Sequence, residues 1–385
     1  MLLAVTACVD RKTTDTTPWG TPVDDPIREV VAEGRFSLED IVAHGELIML
    51  TLSGPETYYD YHGRGMGLQY LLCERFTQQL GVSLRVELCK DTTEMVARLE
   101  EGEGDIIAFP LPRPTEGVLS CGVTTDSLRT QWAVNEDNGE LAAKLDEWFT
   151  PTLVAQVKEE EALAFSAQRV TRRVYSPMLD RKGGIISKYD DLFRRYAPQA
   201  RWDWRLMAAQ CYQESTFDAQ ARSWAGACGL MQIMPSTATH LGLPHSQLFD
   251  PEKNIAAAAK YIAELNGHFR DIAGAQERTW FVLAAYNGGF FHIRDAMALA
   301  EKHGKNPHRW TDVSAFVLKL REPSYYNDPV VKHGYMRGDE TVDYVLKIRQ
   351  RWNEYRGVAK PSSSGAAPDM TPREAKREHR FKLDK

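Results

Sequence analysis

The sequence predicts an α+β, multidomain chain: an N-terminal α/β lobe followed by a mainly α domain. Three observations carry that expectation. Up to Phe109, short strand-like runs alternate with helical ones. From Lys188 to Arg356, apolar residues recur at helical spacing, punctuated by Gly and Pro. Between them lies "RVTRRVYSPMLDRKGGIIS", a polar, basic, turn-rich stretch that suits a domain boundary. The 385 residues suffice for two ordinary domains. A hydrophobic content of 43% and a charged content of 26% are those of a soluble globular protein. The net charge of −6 gives no reason to expect nucleic-acid binding. No apolar run reaches the roughly 20 residues of a membrane-spanning helix.

The elements follow in order. Residues 46–53, "ELIMLTLS", read as a buried strand. Residues 66–80 have helical spacing through Leu68, Leu71, Leu72, Phe76 and Leu80. "GVSLRVEL" (81–88) alternates at period two and reads as a second strand. "TTEMVARLEEG" reads as a helix capped by Thr92 or Thr93 and stopped at Gly102. "DIIAF" (105–109) is a short apolar strand, and this alternation implies βαβ units with a parallel sheet. Residues 129–149 read as a returning strand and helix, and Pro151 suits the first turn of a helix over 151–168. The last stretch, from Val358, is poor in large apolar residues and reads as disordered.

Among the six cysteines, Cys8 closes the short apolar start "MLLAVTAC" and five remain: Cys73, Cys89, Cys121, Cys211 and Cys228. An odd number argues against a complete disulfide framework, and most read as small buried hydrophobes. A single Cys211–Cys228 bridge stays open. No metal site is visible: His240, His245, His268 and His292 show no ligand pairing, and "NEDNG" is too short for a calcium loop. No cofactor is expected.

Three segments of the helical half carry candidate chemistry: "QES" (213–215), "SWAGACGLMQIMPSTA" (223–238) and "AAYNGG" (284–289). In the first, Met207, Cys211 and Glu214 share one helix face, so Glu214 closes an apolar stripe at the helix end. A helix C-terminus favours cations, so a carboxylate there is either a solvated chain end or placed for work. Partial burial disfavours the charged form of a carboxylate, as a general acid requires. Gly226 and Gly229 allow tight turns. Gln232 offers a donor and an acceptor to a polar ligand, while Met231 and Met234 read as packing. Tyr286 can bring its hydroxyl near Glu214, and Asn287 can anchor backbone or a ligand amide. Trp224, Trp280 and Trp310 can stack on a ligand ring, though burial is the commoner use of tryptophan. No second carboxylate stands at a fixed spacing from Glu214; Asp218 lies past the helix end.

Taken as an ordered set, the three segments resemble the signature of the soluble-lytic-transglycosylase, goose-lysozyme-like domain, over roughly 185–356. "MRGDETVDYVLKI" (336–348) resembles that family's closing helix, with Tyr344 at the tyrosine used near the catalytic acid and Glu340 at a position holding the fold or cleft wall. Earlier, Tyr58-Tyr59, Gly67, Leu80-Gly81-Val82 and Gly104-Asp105-Ile106 resemble the first lobe of a periplasmic solute-binding protein of the amino-acid type. Only 19 residues, 110–128, stand where the second lobe would be inserted, so a single lobe without a closing cleft is expected. "MLLAVTAC" resembles the tail of a bacterial lipoprotein signal, with Val5-Thr6-Ala7-Cys8 as lipobox. The whole resembles the membrane-bound lytic murein transglycosylase F family in shortened form. The expected organisation is a lipobox remnant (1–8), a flexible tether (9–35), the lobe (36–170), a linker (171–184), the catalytic domain (185–357) and a tail (358–385).

The resemblance implies a lyase cleaving the MurNAc-GlcNAc β-1,4 bond of peptidoglycan without water, leaving a 1,6-anhydro-muramyl end. It implies Glu214 as acid and then base. Around it, the family pattern sets Ser223, Gly229, Met231, Gln232, Tyr286, Asn287 and Tyr344 as substrate-binding residues. It also implies glycan strands as partner, a membrane anchor through lipidated Cys8, and an envelope location facing the periplasm at the outer membrane. The single lobe is expected to meet a protein or a stem peptide. A lysozyme-type hydrolase and an inactive glycan-binding scaffold are the alternatives.

Overall fold

The computed structural model describes residues 37–360, apart from 125–129 and 166–169. Cys8, the tether and the tail beyond Lys360 lie outside the described residues. In chain order the strands are β1 Glu46–Thr51, β2 Tyr59–Tyr61, β3 Arg64–Met66, β4 Ser83–Leu88, β5 Ile106–Pro112, β6 Val118–Cys121, β7 Thr130–Asn135, β8 Val170–Thr171 and β9 Arg222–Ser223. The described residues fall into two compact units. One holds those up to Leu52 together with Leu72–Pro151; the other holds Ser53–Leu71 and those from Thr152 onward.

The first unit is a mixed α/β lobe around a five-stranded sheet of order β4-β1-β5-β7-β6. β1 pairs parallel with β4, Glu46 opposite Ser83, and with β5, Met49 opposite Ile106. The expected parallel sheet is only half realised: β7 runs antiparallel to both β5 and β6. A parallel neighbour needs a crossover of about a dozen residues or more. Residues 122–129, between β6 and β7, are too few, so the chain turns back on itself. Sequence periodicity missed β6, whose four residues are too short to show an alternation.

Central strands are buried on both faces, which is why "LIML" and "IIA" read as unbroken apolar runs. Leu47, Met49, Leu50, Ile106, Ile107 and Ala108 are all inaccessible to solvent. Edge strand β4 keeps the alternation of a half-exposed strand. Helix Thr92–Glu100 is capped by Asp91, not by Thr92 or Thr93: the Asp91 side chain accepts from the Glu94 N–H. Gly104 lies so close to β1 that a Cβ would stand 2.5 Å from Leu50 Cγ, a bare-backbone contact that admits no larger residue. Beside it, Asp105 is buried and accepts from the Ile48 N–H at 2.7 Å. Cys73, Cys89 and Cys121 are buried and free.

The second unit is mainly helical. Its core joins helices Trp204–Ser215, Pro251–His268, Ala275–Gly288, Phe290–Lys302, Trp310–Lys319 and Gly338–Arg356. Helix Trp204–Ser215 is buried on all sides over its first eight residues, as a helix at the centre of a domain must be. Only its last turn, Tyr212 to Glu214, reaches solvent. Cys211 and Cys228 are both buried and unpaired; the Cys211 thiol bonds instead to the Leu230 carbonyl. Trp280 and Trp310 are core residues.

Three segments depart from the expected partition. The hairpin β2–β3 and helix Pro151–Ala164, both within the stretch read as lobe, pack with the helical unit. The segment read as linker is anchored there too: Val170–Thr171 pairs antiparallel with Arg222–Ser223, and the Arg173 N–H bonds to buried Asp218. At the other end order continues past 357, because Ala359 is buried in the helical core and its carbonyl accepts from Arg205. Among the described residues no helix is long and apolar enough to cross a membrane.

Candidate active site

Glu214 sits on the penultimate residue of its helix because Thr216 stops the helix in the left-handed region, φ 53°. Phe217 follows at φ 63°, and Gln232 across the site holds φ 49°. Three non-glycine residues in this sparsely populated region, all around one carboxylate, mark a backbone held in place by its surroundings. The Glu214 carbonyl accepts from Arg172 at 2.8 Å.

The side chain opens into a cavity of about 350 Å³ within the helical unit. Tyr344, on helix Gly338–Arg356, donates its hydroxyl to Glu214 Oε1 at 2.5 Å. Gln210, one turn before Glu214 and wholly buried, donates to the Tyr344 hydroxyl at 3.1 Å. The result is a directed chain, amide to phenol to carboxylate, in which each bond polarises the next. Tyr286 donates instead to the Met231 carbonyl at 2.7 Å, and its ring lies 5.4 Å from that of Tyr261. Burial first, and the nearby Glu214 charge second, push both the Tyr286 and Tyr344 phenols well above their ordinary range. Both are therefore neutral donors at any working pH.

Of the residues expected from sequence, Glu214, Ser223, Gln232, Tyr286, Asn287 and Tyr344 line this one cavity, and so does Trp224. Gly229 and Met231 do not line it; both are buried in the loop that shapes it. Gly229 has φ +79°, and a Cβ there would stand 2.5 Å from the Leu248 carbonyl oxygen. Met231 offers backbone only, its carbonyl to Tyr286 and its N–H to Asn254. The Gln232 amide nitrogen is spent on the Ala221 and Gly229 carbonyls. Ser223 accepts from the Ala227 N–H, and the Asn287 side-chain oxygen accepts from Thr341.

Four contributors were not found from sequence. Gln210 is a polar residue inside an apolar helical run and Asn254 stands at the head of one, the one signal in the sequence that singles them out. Asn254, fully buried, ties three backbone groups of the loop: Met231 N–H, the Cys228 carbonyl and the Leu248 carbonyl. Arg172 lay in the presumed linker, and the tip of the β2–β3 hairpin, Asp60 to Gly63, also lines the cavity. Neither has a short-range pattern linking it to Glu214. Among the described residues no cluster could hold a metal ion.

Residues 191–308 match the family described as the Transglycosylase SLT domain. The chain is 39% identical over 180 residues to "Membrane-bound lytic murein transglycosylase F" of Pseudomonas fluorescens, covering 47% of this chain and 36% of that protein. It is 29% identical over 426 aligned positions to the protein of that name from an Enterobacter species, covering 83% of this chain and 80% of the relative. The chain thus spans about a third of the first relative's length and most of the second's. Among solved structures, the 70 kDa soluble lytic transglycosylase from Escherichia coli matches with TM-score 0.33 and 28% identity, over 44% of this chain and 24% of that one. Arginine-bound domain 1 of TmArgBP matches with TM-score 0.26 and 16% identity, over 30% of this chain and 96% of that one. With a match to the SLT domain behind a mixed α/β lobe, the chain is similar across both parts to a relative named membrane-bound lytic murein transglycosylase F.

Proposed function

We propose that the protein is a lytic transglycosylase that cleaves the MurNAc-GlcNAc β-1,4 bond of peptidoglycan and leaves a 1,6-anhydro-MurNAc end. The observation that carries this reading is the Glu214 carboxylate, which accepts a hydrogen bond from the buried Tyr344 phenol in a cavity of about 350 Å³. Glycosidic cleavage needs an acid to protonate the leaving oxygen as the sugar becomes oxocarbenium-like. In this reading Glu214 gives that proton. It then takes one from the C6 hydroxyl of the same sugar, whose oxygen closes on C1. The Tyr344 hydroxyl supports the ionised carboxylate that exists between the two steps. Tyr286 and Asn254 fix the loop that carries Ser223 and Gln232, and Asn287 ties the two helices that flank the cavity.

The relatives' name supports attachment to a membrane. Lipidation at Cys8 and a place at the outer membrane facing the periplasm are the form of attachment we favour. For the lobe we favour contact with a stem peptide or a protein over capture of a free amino acid, since residues 110–128 are too few to form a second wall. The mass of the released muropeptides tests the reaction: a 1,6-anhydro product is lighter than a hydrolysed one by one water.

A further inference from the structure

The β2–β3 hairpin lies far in sequence from Glu214, yet its tip lines the same cavity. It is fixed from two sides. Tyr61 donates its hydroxyl to Glu340 Oε2 at 2.7 Å, on the helix that carries Tyr344. Arg64 lies over the Trp224 ring at 4.4 Å, on the loop that carries Gln232. Between these anchors the chain turns at His62, φ 53°, and Gly63, φ 75°. Asp60 closes the turn: one carboxyl oxygen accepts from the Gly63 N–H at 3.0 Å. Its second oxygen has no hydrogen bond among the described residues.

We propose that this hairpin completes a second sugar subsite, in which the Asp60 carboxyl accepts hydrogen bonds from the hydroxyls or amide N–H of an N-acetylglucosamine residue next to the scissile bond. The inference rests on the glycan-cleaving reading of Glu214 and extends it to a segment outside the residues that match the SLT family. Three features support it. Asp60 is held in the cavity with the Tyr261 ring near enough to feel its charge, and Tyr261 packs on Tyr286. An aromatic floor beside a carboxyl acceptor is the chemistry that holds a neutral, donor-rich pyranose. Burial raises the Asp60 carboxyl above its ordinary range, so an unsatisfied acceptor there is disfavoured until a ligand supplies donors. The other carboxylates of the wall are paired with cations, Glu340 with Arg337 and Asp343 with Lys347, so the wall offers polar groups of both signs to a neutral sugar.

The test uses Asp60→Asn in the full chain. Asparagine keeps an oxygen for the Gly63 N–H but presents N–H donors where the second carboxylate oxygen stood. A residue that only shapes the turn tolerates this change, whereas a sugar acceptor does not. Calorimetric titration with a β-1,4-linked N-acetylglucosamine tetramer is done in a Glu214→Gln background, to prevent turnover. Adding Asp60→Asn is expected to weaken binding at least fivefold at an unchanged melting temperature. In the active chain the loss falls in KM rather than kcat. Binding and KM both within twofold of the parent would overturn the subsite while leaving the reading of Glu214 intact. No tetramer binding by the folded Glu214→Gln parent, with no muropeptide release by wild type, would instead remove the reading on which the subsite rests.

Discussion

A phenol that donates to a carboxylate at 2.5 Å, and is itself braced by a buried amide, is a device for holding one oxygen atom still. Tyr344→Phe removes that donor without changing the ring. A hydrogen bond to a charged group contributes about 1.5–3 kcal/mol, so kcat should fall about 10- to 100-fold. Peptidoglycan turnover by the purified variant measures it, and activity within twofold of wild type would show that Glu214 works without the contact. The Tyr344 and Tyr286 phenols stay protonated in the working range, so neither should contribute an alkaline limb to the rate profile. The sequence made Glu214 and Tyr344 legible through motif alone. Gln210 was not, because its role exists only once residues 134 positions apart meet.

At the scale of elements, the site depends on a loop rather than on a helix or strand. Between Cys228 and Ile233 the chain closes a tight turn, with Cys228 and Ile233 exchanging backbone hydrogen bonds and Asn254 filling its inside. Gly229→Ala places a Cβ against the Leu248 carbonyl in a left-handed conformation. Strain and overpacking together should cost about 2–4 kcal/mol. Thermal unfolding should show a lower melting temperature, with weaker activity as Tyr286 loses the Met231 carbonyl; an unchanged melting temperature would contradict the packing. The helices and strands were readable from periodicity, because long amphipathic and buried runs carry their own signal. The hairpin and β8 were not. Two- and three-residue strands have no periodicity, and their partners lie far along the chain.

At the scale of the whole molecule, one buried carboxyl couples the lobe's stability to pH. Burial raises Asp105 to about 6, against the opposing Ile48 N–H bond. The folded lobe therefore holds this proton more tightly than the unfolded chain, whose carboxyl titrates near 4. The sign follows: stability from this group is greatest below about pH 4, declines as pH rises toward 6, and is flat above it. The full swing is at most about 3 kcal/mol for two pH units. Asp105→Asn keeps an acceptor for Ile48 and removes the titration. Unfolding of the full chain between pH 4 and 7 should show the variant gaining on wild type as pH rises, and parallel curves would contradict the account.

The central claim is that one glutamate performs both proton transfers and the sugar supplies its own nucleophile. Peptidoglycan digested with the wild-type protein, and separately with Glu214→Gln, should be analysed by mass spectrometry of the released muropeptides. An amide keeps the shape of Glu214 but is not a strong acid, so release should fall at least about 10²-fold, the lower end for general acid catalysis. The account predicts 1,6-anhydro-muramyl ends from wild type and almost no release from the folded variant. Reducing-end products one water heavier, or near wild-type release by Glu214→Gln, would contradict it.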